Sequence, residues 1–134
     1  MELDLKPIEL PGIEKKRPMI IAGPCSAETE EQVMDTATML ANKGIKIFRA
    51  GIWKPRTKPG GFEGIGVDGL AWLKRVKQET GMYVATEVAT AKHVYECLKA
   101  GIDVLLDWRT HHCQPVCRAG NCRCTERCGY SYID

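Results

Sequence analysis

The sequence predicts an α/β fold organised around a parallel sheet, and two observations lead to this prediction. Short apolar runs alternate with segments in which apolar residues recur at helical spacing, and the alternation has a period of about 30 residues. Glycine, proline or a capping residue stands at each change of element. Strands that alternate with helices in this way form right-handed β-α-β units, and such units build parallel sheets.

The first predicted unit begins with the run Met19-Ile20-Ile21-Ala22, which Gly23-Pro24 ends. Because this run contains no polar residue, it predicts a strand that is buried on both faces. Thr29 and Gln32 have the spacing of a capping box. A helix is therefore expected to start there and to end at Gly44.

The second predicted unit has a strand at residues 45–51 and a helix that starts near Asp68 and ends near Gly81. The end of this strand and the loop after it carry four cations within ten positions, interleaved with proline and glycine. Proline restricts the backbone and glycine permits unusual turns, so the cations are expected to form a pocket for phosphates and carboxylates. These cations are Arg49, Lys54, Arg56 and Lys58.

The third predicted unit has a strand at residues 82–88 and a helix that Thr90 caps and Gly101 closes. A fourth strand is expected to begin at Val104. The residues of the third helix that are expected to face the core are Val94, Cys97 and Leu98.

Three chemistry-bearing features follow the predicted strands. Cys25 comes after the first strand, the basic loop comes after the second, and Glu87 lies at the end of the third. In a barrel of β-α-β units, active sites are built at this carboxyl edge. An open sheet that binds dinucleotides would need Gly-x-Gly-x-x-Gly after the first strand, and Gly23-Pro24-Cys25-Ser26 does not supply it. The sequence therefore favours a (β/α)8 barrel.

Five short motifs occur in order along residues 15–106. They are Gly23-Pro24-Cys25-Ser26-Ala27-Glu28, Arg49-x-Gly51, Lys54-Pro55-Arg56-Thr57, Phe62-x-Gly64 and Thr86-Glu87. In these motifs the chain resembles the 3-deoxy-7-phosphoheptulonate (DAHP) synthases, in the compact form without an N-terminal regulatory domain. The tetrapeptide favours this family over the 3-deoxy-octulosonate-8-phosphate synthases, which share the barrel and are the alternative enzyme. The resemblance implies the N-terminal part of a (β/α)8 TIM barrel, with about three and a half βα units.

The resemblance also implies a reaction, the condensation of phosphoenolpyruvate with erythrose 4-phosphate at the start of the shikimate pathway to aromatic amino acids. Arg49 and Lys54 would bind phosphoenolpyruvate, and Glu87 would orient a water molecule or a proton donor. The segment Pro55-Arg56-Thr57 would bind the phosphate of the aldose. Cys25 would be one ligand of a divalent metal ion of the Mn, Fe, Zn or Co type that polarises the aldehyde.

Simpler interpretations of single residues stay open. Cys25 taken alone would more often be a buried barrel cysteine, and Glu87 could serve only as an ion-pair partner of the nearby cations. His93 is expected at the surface, and Trp53 is expected among the packing residues.

The composition argues against two classes of partner. A net charge of +2 is too small to indicate nucleic acid or an acidic membrane surface. No apolar run approaches the roughly 20 residues that span a bilayer, and the first residues are acidic, unlike those of a signal peptide. We therefore expect a cytoplasmic enzyme. By resemblance, the intact enzyme is expected to be a homo-oligomer, and some members of the family carry a chorismate mutase domain at the C-terminus.

The chain changes character near residue 107. Five of the seven cysteines fall in the last 28 residues, where neither a helical nor a strand period is present. A Cys/His metal-binding module is one interpretation, but the segment contains no Cys-x2-Cys pair.

A shift of one nucleotide near codon 106 explains the cysteine cluster better. When the reading frame is moved back by one base, each Cys codon decodes as Val or Ala, so the cluster corresponds to an Ala- and Val-rich helix. Trp108 followed by Arg109 then decodes as Gly, and the shifted frame permits Gly-Ala-Arg, the family's next phosphate-binding segment.

The chain is thus predicted to have three parts. Residues 1–18 form an N-terminal arm, residues 19–106 form a partial barrel, and residues 107–134 form an out-of-frame, disordered tail. A whole barrel takes about 250 residues, so catalysis by this chain alone is not expected.

Overall fold

The protein is described by a computed structural model that covers residues 8–14, 18–54 and 62–107. Within these ranges four parallel strands form one sheet, and the strands are arranged in the order β1-β2-β3-β4. This confirms the predicted α/β fold, because consecutive β-α-β units of a barrel have the same order. The strands are β1 (Ile21–Ala22), β2 (Ile47–Arg49), β3 (Tyr83–Val88) and β4 (Val104–Asp107). The helices are α1 (Glu30–Asn42), α2 (Asp68–Thr80) and α3 (Ala91–Ala100).

The helix starts agree with the predicted capping residues. In α1, Thr29 Oγ1 accepts a hydrogen bond from the Gln32 amide at 3.1 Å, and Gln32 Oε1 accepts one from the Glu28 amide at 3.0 Å. Thr90 starts α3 in the same way, because its Oγ1 accepts from the His93 amide at 3.2 Å. The glycines predicted to end α2 and α3 directly follow these helices. Local capping chemistry therefore sets these boundaries.

One face of the sheet packs against the helices and holds most of the described core. Phe48, Val84 and Val88 lie on this face and are buried. The buried helical residues recur at helical spacing, so each helix turns one apolar face towards the core. They are Val33, Met34, Ala37, Leu70, Leu73, Val76 and Cys97.

The opposite face of the sheet has a second, smaller apolar cluster. Ile47, Ala85 and Val104 are its buried members. The segment that precedes β1 lies against this face, and Tyr83 Oη donates a hydrogen bond to the carbonyl of Pro11 at 2.5 Å. The apolar residues packed against the cluster are Leu10, Ile13, Ile21, Tyr83 and Leu106.

Two details of the predicted core are wrong. The strand predicted to be buried on both faces contains only Ile21 and Ala22, both half-buried, while Met19 and Ile20 are exposed. The reason is that β1 lies at an edge of the described sheet, where β2 is its partner. Leu98 is exposed as well, because α3 packs through the other predicted residues of its apolar face.

No helix within the described ranges is long and apolar enough to cross a membrane.

Candidate active site

Charged residues continue the second face of the sheet towards the carboxyl ends of the strands. Arg49 is the last residue of β2, and Glu87 is the last but one of β3. Side chains two positions apart in a strand share a face, so Arg49 and Glu87 lie on the same face as Ile47 and Ala85 of the small apolar cluster. Cys25 and Lys54 lie in the loops after β1 and β2. The structure therefore places all four of these predicted site residues at one edge of the sheet.

The carboxylate of Glu87 lies at the centre of this group. Its Oε1 accepts a hydrogen bond from Arg49 Nη2, and its Oε2 is 3.9 Å from Lys54 Nζ. The side chains of Glu87 and Lys54 are only 11% and 10% exposed, and that of Arg49 is 25% exposed. Two cations thus share one carboxylate, which leaves the group with one formal positive charge in excess.

Lys54 links this carboxylate to the loop after β1. Its ammonium donates a hydrogen bond to the carbonyl of Cys25 and lies 3.4 Å from the Cys25 sulfur. The segment after β2 is also joined to this loop through the backbone, because the Ala27 amide donates to the carbonyl of Gly51 at 2.9 Å. The side chain of Lys54, from the loop after β2, is therefore held between the loop after β1 and the end of β3.

Two glycines allow the loops to approach this closely. A Cβ on Gly51 would overlap the carbonyl oxygen of Cys25 and would lie 2.7 Å from Lys54 Nζ. Gly23 has a φ of +152°, and a Cβ there would overlap the carbonyl oxygen of Arg49. The glycines of the Gly-Pro-Cys and Arg-x-Gly motifs thus provide room for the packing of the site.

The basic loop is closed at its base by backbone hydrogen bonds. The Lys54 amide donates to the carbonyl of Glu63 at 2.7 Å, and the Gly66 amide donates to the carbonyl of Ile52 at 2.9 Å. Pro55-Arg56-Thr57, the segment predicted to bind the aldose phosphate, lies outside the described residues, as does the tail from residue 108 onward.

Three buried polar atoms in this region lack a hydrogen-bond partner among the described residues. They are Ser26 Oγ, Arg49 Nε and Glu87 Oε2. A buried donor without a partner is costly, and an anion that accepts from Arg49 Nε would remove that cost. Together with the excess positive charge, this favours an anionic ligand such as a carboxylate or a phosphate.

The described residues fit a metal ion only in part. Cys25 is exposed, so its sulfur is open to a ligand. However, the described ranges contain no group of three His, Cys, Asp or Glu side chains that could hold a metal ion. Cys25 would therefore supply one bond to a divalent ion, which is fewer than a protein site needs.

Cys25 and Cys97 are expected to react with iodoacetamide at very different rates. Burial raises the pKa of the Cys97 thiol to about 12, and the charge of Glu96 acts in the same direction. Since the thiolate is the reactive form, we expect native Cys25 to be labelled at least about a hundredfold faster, as measured by peptide mass spectrometry. Concentrated guanidinium chloride should remove the difference, and equal rates in the native chain would contradict the described burial.

The structure also decides between the simpler interpretations. Cys25 is not a buried barrel cysteine, since it is exposed. Glu87 is an ion-pair partner of both cations, whether or not it has a further role. The prediction for His93 is wrong, because this side chain is half-buried and its ring stacks on Trp53, with ring centroids 4.2 Å apart. No spacing in the sequence indicates this contact, because the two residues lie in different units.

Known proteins were compared with the chain in sequence and in structure. The profile of the DAHP synthetase I family matches residues 10–105. The phospho-2-dehydro-3-deoxyheptonate aldolase of Thermotoga maritima is 50% identical over 68 residues, which are 51% of this chain and 20% of that protein. The 2-dehydro-3-deoxyphosphooctonate aldolase of Variovorax paradoxus is 40% identical over 93 residues, which are 64% of this chain and 32% of that protein.

A solved structure gives the same result. The crystal structure of the DAHP synthase of Thermotoga maritima superposes with a TM-score of 0.57 at 39% identity, over 63% of this chain and 24% of that one. The chain thus spans between a fifth and a third of the length of these relatives. Because the family profile covers most of the chain, from the segment before β1 into β4, the chain belongs to the DAHP synthetase I family.

Proposed function

We propose that the described residues form the N-terminal part of an active site that condenses phosphoenolpyruvate with erythrose 4-phosphate. The enol carbon of phosphoenolpyruvate would bond to the aldehyde carbon, water would add to the adjacent carbon, and inorganic phosphate would leave. The products are 3-deoxy-7-phosphoheptulonate and phosphate. The observation that carries the proposal is the convergence of Arg49 and Lys54 on a buried carboxylate at the carboxyl edge of the sheet.

Arg49 and Lys54 would bind phosphoenolpyruvate. The guanidinium group of Arg49 keeps one buried N–H without a partner among the described residues, and a planar guanidinium can bind a carboxylate or phosphate through two parallel hydrogen bonds. Lys54 adds a point charge that the carbonyl of Cys25 holds in place. Such preorganised charges stabilise the negative charge that develops in the transition state.

Glu87 would keep these cations in place and would orient the water molecule or a proton donor. Its Oε2 is buried and accepts no hydrogen bond from the described part of the chain, so it is open to an O–H donor. The two roles use different oxygens, because Oε1 accepts from Arg49.

Arg56 and Thr57, after Pro55, would bind the phosphate of erythrose 4-phosphate. Cys25 would be one thiolate ligand of a divalent ion of the Mn, Fe, Zn or Co type, with the other ligands from outside the described residues. When bound, such an ion would polarise the aldehyde carbonyl.

The test is a chimera in which residues 1–106 replace the matching segment of the Thermotoga maritima relative. We expect phosphate release that requires both phosphoenolpyruvate and erythrose 4-phosphate. Arg49→Ala should lower kcat/KM by about a hundredfold or more, since it removes a preorganised donor. Arg75→Ala is the matched control, because Arg75 is exposed on α2 and pairs with surface carboxylates. A folded chimera without activity on erythrose 4-phosphate would contradict the proposal.

The second candidate is the octulosonate reaction, with arabinose 5-phosphate as the aldose. Relatives named 2-dehydro-3-deoxyphosphooctonate aldolase, which are 34% to 40% identical to the chain, favour this reaction. The phospho-2-dehydro-3-deoxyheptonate aldolase of Thermotoga maritima is 50% identical and favours the first. The same chimera separates the two reactions, because activity on arabinose 5-phosphate alone would establish the alternative.

We also propose the three-part organisation of the chain, with an arm (1–18), a partial barrel (19–106) and an out-of-frame tail (107–134). The family match, which runs from residue 10 to residue 105, supports only the boundary before the tail. The coding nucleotides test it, since removal of one base near codon 106 should reopen Gly-Ala-Arg. A Cys/His metal-binding module would instead give stoichiometric zinc in the purified chain, lost on deletion of the last 28 residues.

For the intact enzyme we propose a cytoplasmic location and a homo-oligomer. Membership of a family of biosynthetic enzymes supports the location. Size-exclusion chromatography of the chimera tests the oligomer.

A further inference from the structure

The stack between Trp53 and His93 joins two βα units beside the site. Trp53 precedes Lys54 in the loop after β2, and His93 lies in the first turn of α3, after β3. The two rings are nearly parallel, with an angle of 4° between their planes and 4.2 Å between their centroids. Contacts between aromatic rings can contribute stability beyond the area that they bury.

The ring of His93 is itself held in one orientation. Its Nδ1 accepts a hydrogen bond from the Ala89 amide at 3.3 Å, so the neutral ring carries its proton on Nε2. Protonation of Nδ1 would remove this acceptor and leave the amide of Ala89 without its partner.

Trp53 is in turn packed against the far side of the basic loop. A Cβ on Gly64 would be 3.0 Å from Trp53 Cα, and a Cβ on Gly66 would be 3.9 Å from the indole nitrogen. The flanking residues of Trp53 make the hydrogen bonds that close the loop base, because the carbonyl of Ile52 accepts from Gly66 and the amide of Lys54 donates to Glu63. A shift of Trp53 would therefore move the backbone of Lys54.

We propose that His93 is a positioning residue, which acts through Trp53 to hold Lys54 and the base of the basic loop in the geometry that binds the anionic substrate. The importance of Lys54 rests on the proposed function, whereas the coupling of His93 to the loop base does not. The neutral ring is the form that positions the loop, since it accepts from Ala89 and stacks flat on the indole.

Among the described residues, the charge that acts on the ring is that of Lys92, which precedes it on α3. Lys54, in the loop that carries Trp53, is directed to Cys25 and Glu87 instead. The pKa of His93 is lowered below its usual 6.5, first by burial and then by the charge of Lys92. Protonation of His93 should therefore occur only below the ordinary titration range of histidine, and it should disrupt the stack with Trp53.

Amide hydrogen exchange of the full chain tests the proposal. In His93→Ala we expect the amides of Lys54 and Gly66 to exchange about tenfold faster, with the helical amides of α2 unchanged. His93→Phe keeps a flat ring that does not titrate, but it cannot accept from the Ala89 amide, so it should restore most, and not all, of the lost protection. Unchanged exchange at Lys54 in a folded His93→Ala variant would overturn the proposal.

A pH series separates positioning from simple packing. Relative to its intrinsic rate, the Lys54 amide should lose protection in the parent chain as the pH falls below the ordinary titration range of histidine, and keep it in His93→Phe. Identical pH profiles would count against a role for the neutral ring. In the chimera described above, binding of phosphoenolpyruvate should weaken about fivefold in His93→Ala and largely recover in His93→Phe. If the parent chimera bound none, the proposed function would fail while the exchange result still decided the coupling.

Discussion

Gly23→Ala is expected to remove most of the stability of the described sheet. The new Cβ would overlap the carbonyl oxygen of Arg49 and lie 3.0 Å from its amide nitrogen, and a φ of +152° is strained for alanine. The atoms it meets belong to Arg49, which pairs with Ala85 of β3 and directly follows the residues of β2 that pair with β1, so they cannot move without disturbing the sheet. We expect a loss of about 3 kcal/mol or more in the free energy of unfolding, measured by urea denaturation.

Gly44→Ala is the matched control for this substitution. Gly44 also has a positive φ, +80°, but a Cβ added there would meet no described atom within 4 Å. It should therefore show only the backbone strain, which is about 1 kcal/mol. Equal losses in the two variants would mean that strain, and not overlap with Arg49, explains the effect.

Glu87→Gln is the second substitution with a large expected effect. It leaves the cations of Arg49 and Lys54 close together without the charge that they share. Removal of one partner of a buried ion pair costs about 3–5 kcal/mol, and the partial exposure of Arg49 reduces this to about 2–3 kcal/mol. Urea denaturation should show a lower midpoint with an unchanged slope.

Glu79→Gln provides the comparison at the surface. Glu79 accepts from Arg75 at 2.6 Å on α2, and both side chains are about half exposed. Exposed pairs contribute little, so the loss should be below about 0.5 kcal/mol. If Glu87→Gln were as mild as this control, the carboxylate at the centre of the site would not be needed to hold the two cations together.

Much of the fold could be predicted from local chemistry. Thr29 and Thr90 are capping residues at the positions that the sequence indicates, because a cap depends on only three or four neighbouring residues. The burial of β1 could not be predicted in this way. An apolar run reports hydrophobicity, whereas burial depends on which strands lie beside it, and Ile20 is exposed at the edge.

The site was predictable to the extent that it follows from strand direction. Arg49 and Glu87 could be expected at one edge, since parallel strands place their carboxyl ends together. The hydrogen bond from Lys54 to the carbonyl of Cys25 could not, because it depends on the absence of a side chain at Gly51. The position of His93 could not be predicted either. It depends on a contact with Trp53, which belongs to a different βα unit, and the spacing of residues within one element does not indicate contacts between units.

The consecutive strand order has a consequence for synthesis on the ribosome. Within the described sheet, each strand pairs with the strand before it in the chain, from β1 to β4. Each new βα unit that leaves the ribosome therefore meets an edge that is already formed, and the loop it must close is only about 30 residues long. Because the N-terminus is synthesised first, the order of synthesis is also the order of assembly, and the growing chain need not wait for distant segments before it begins to fold.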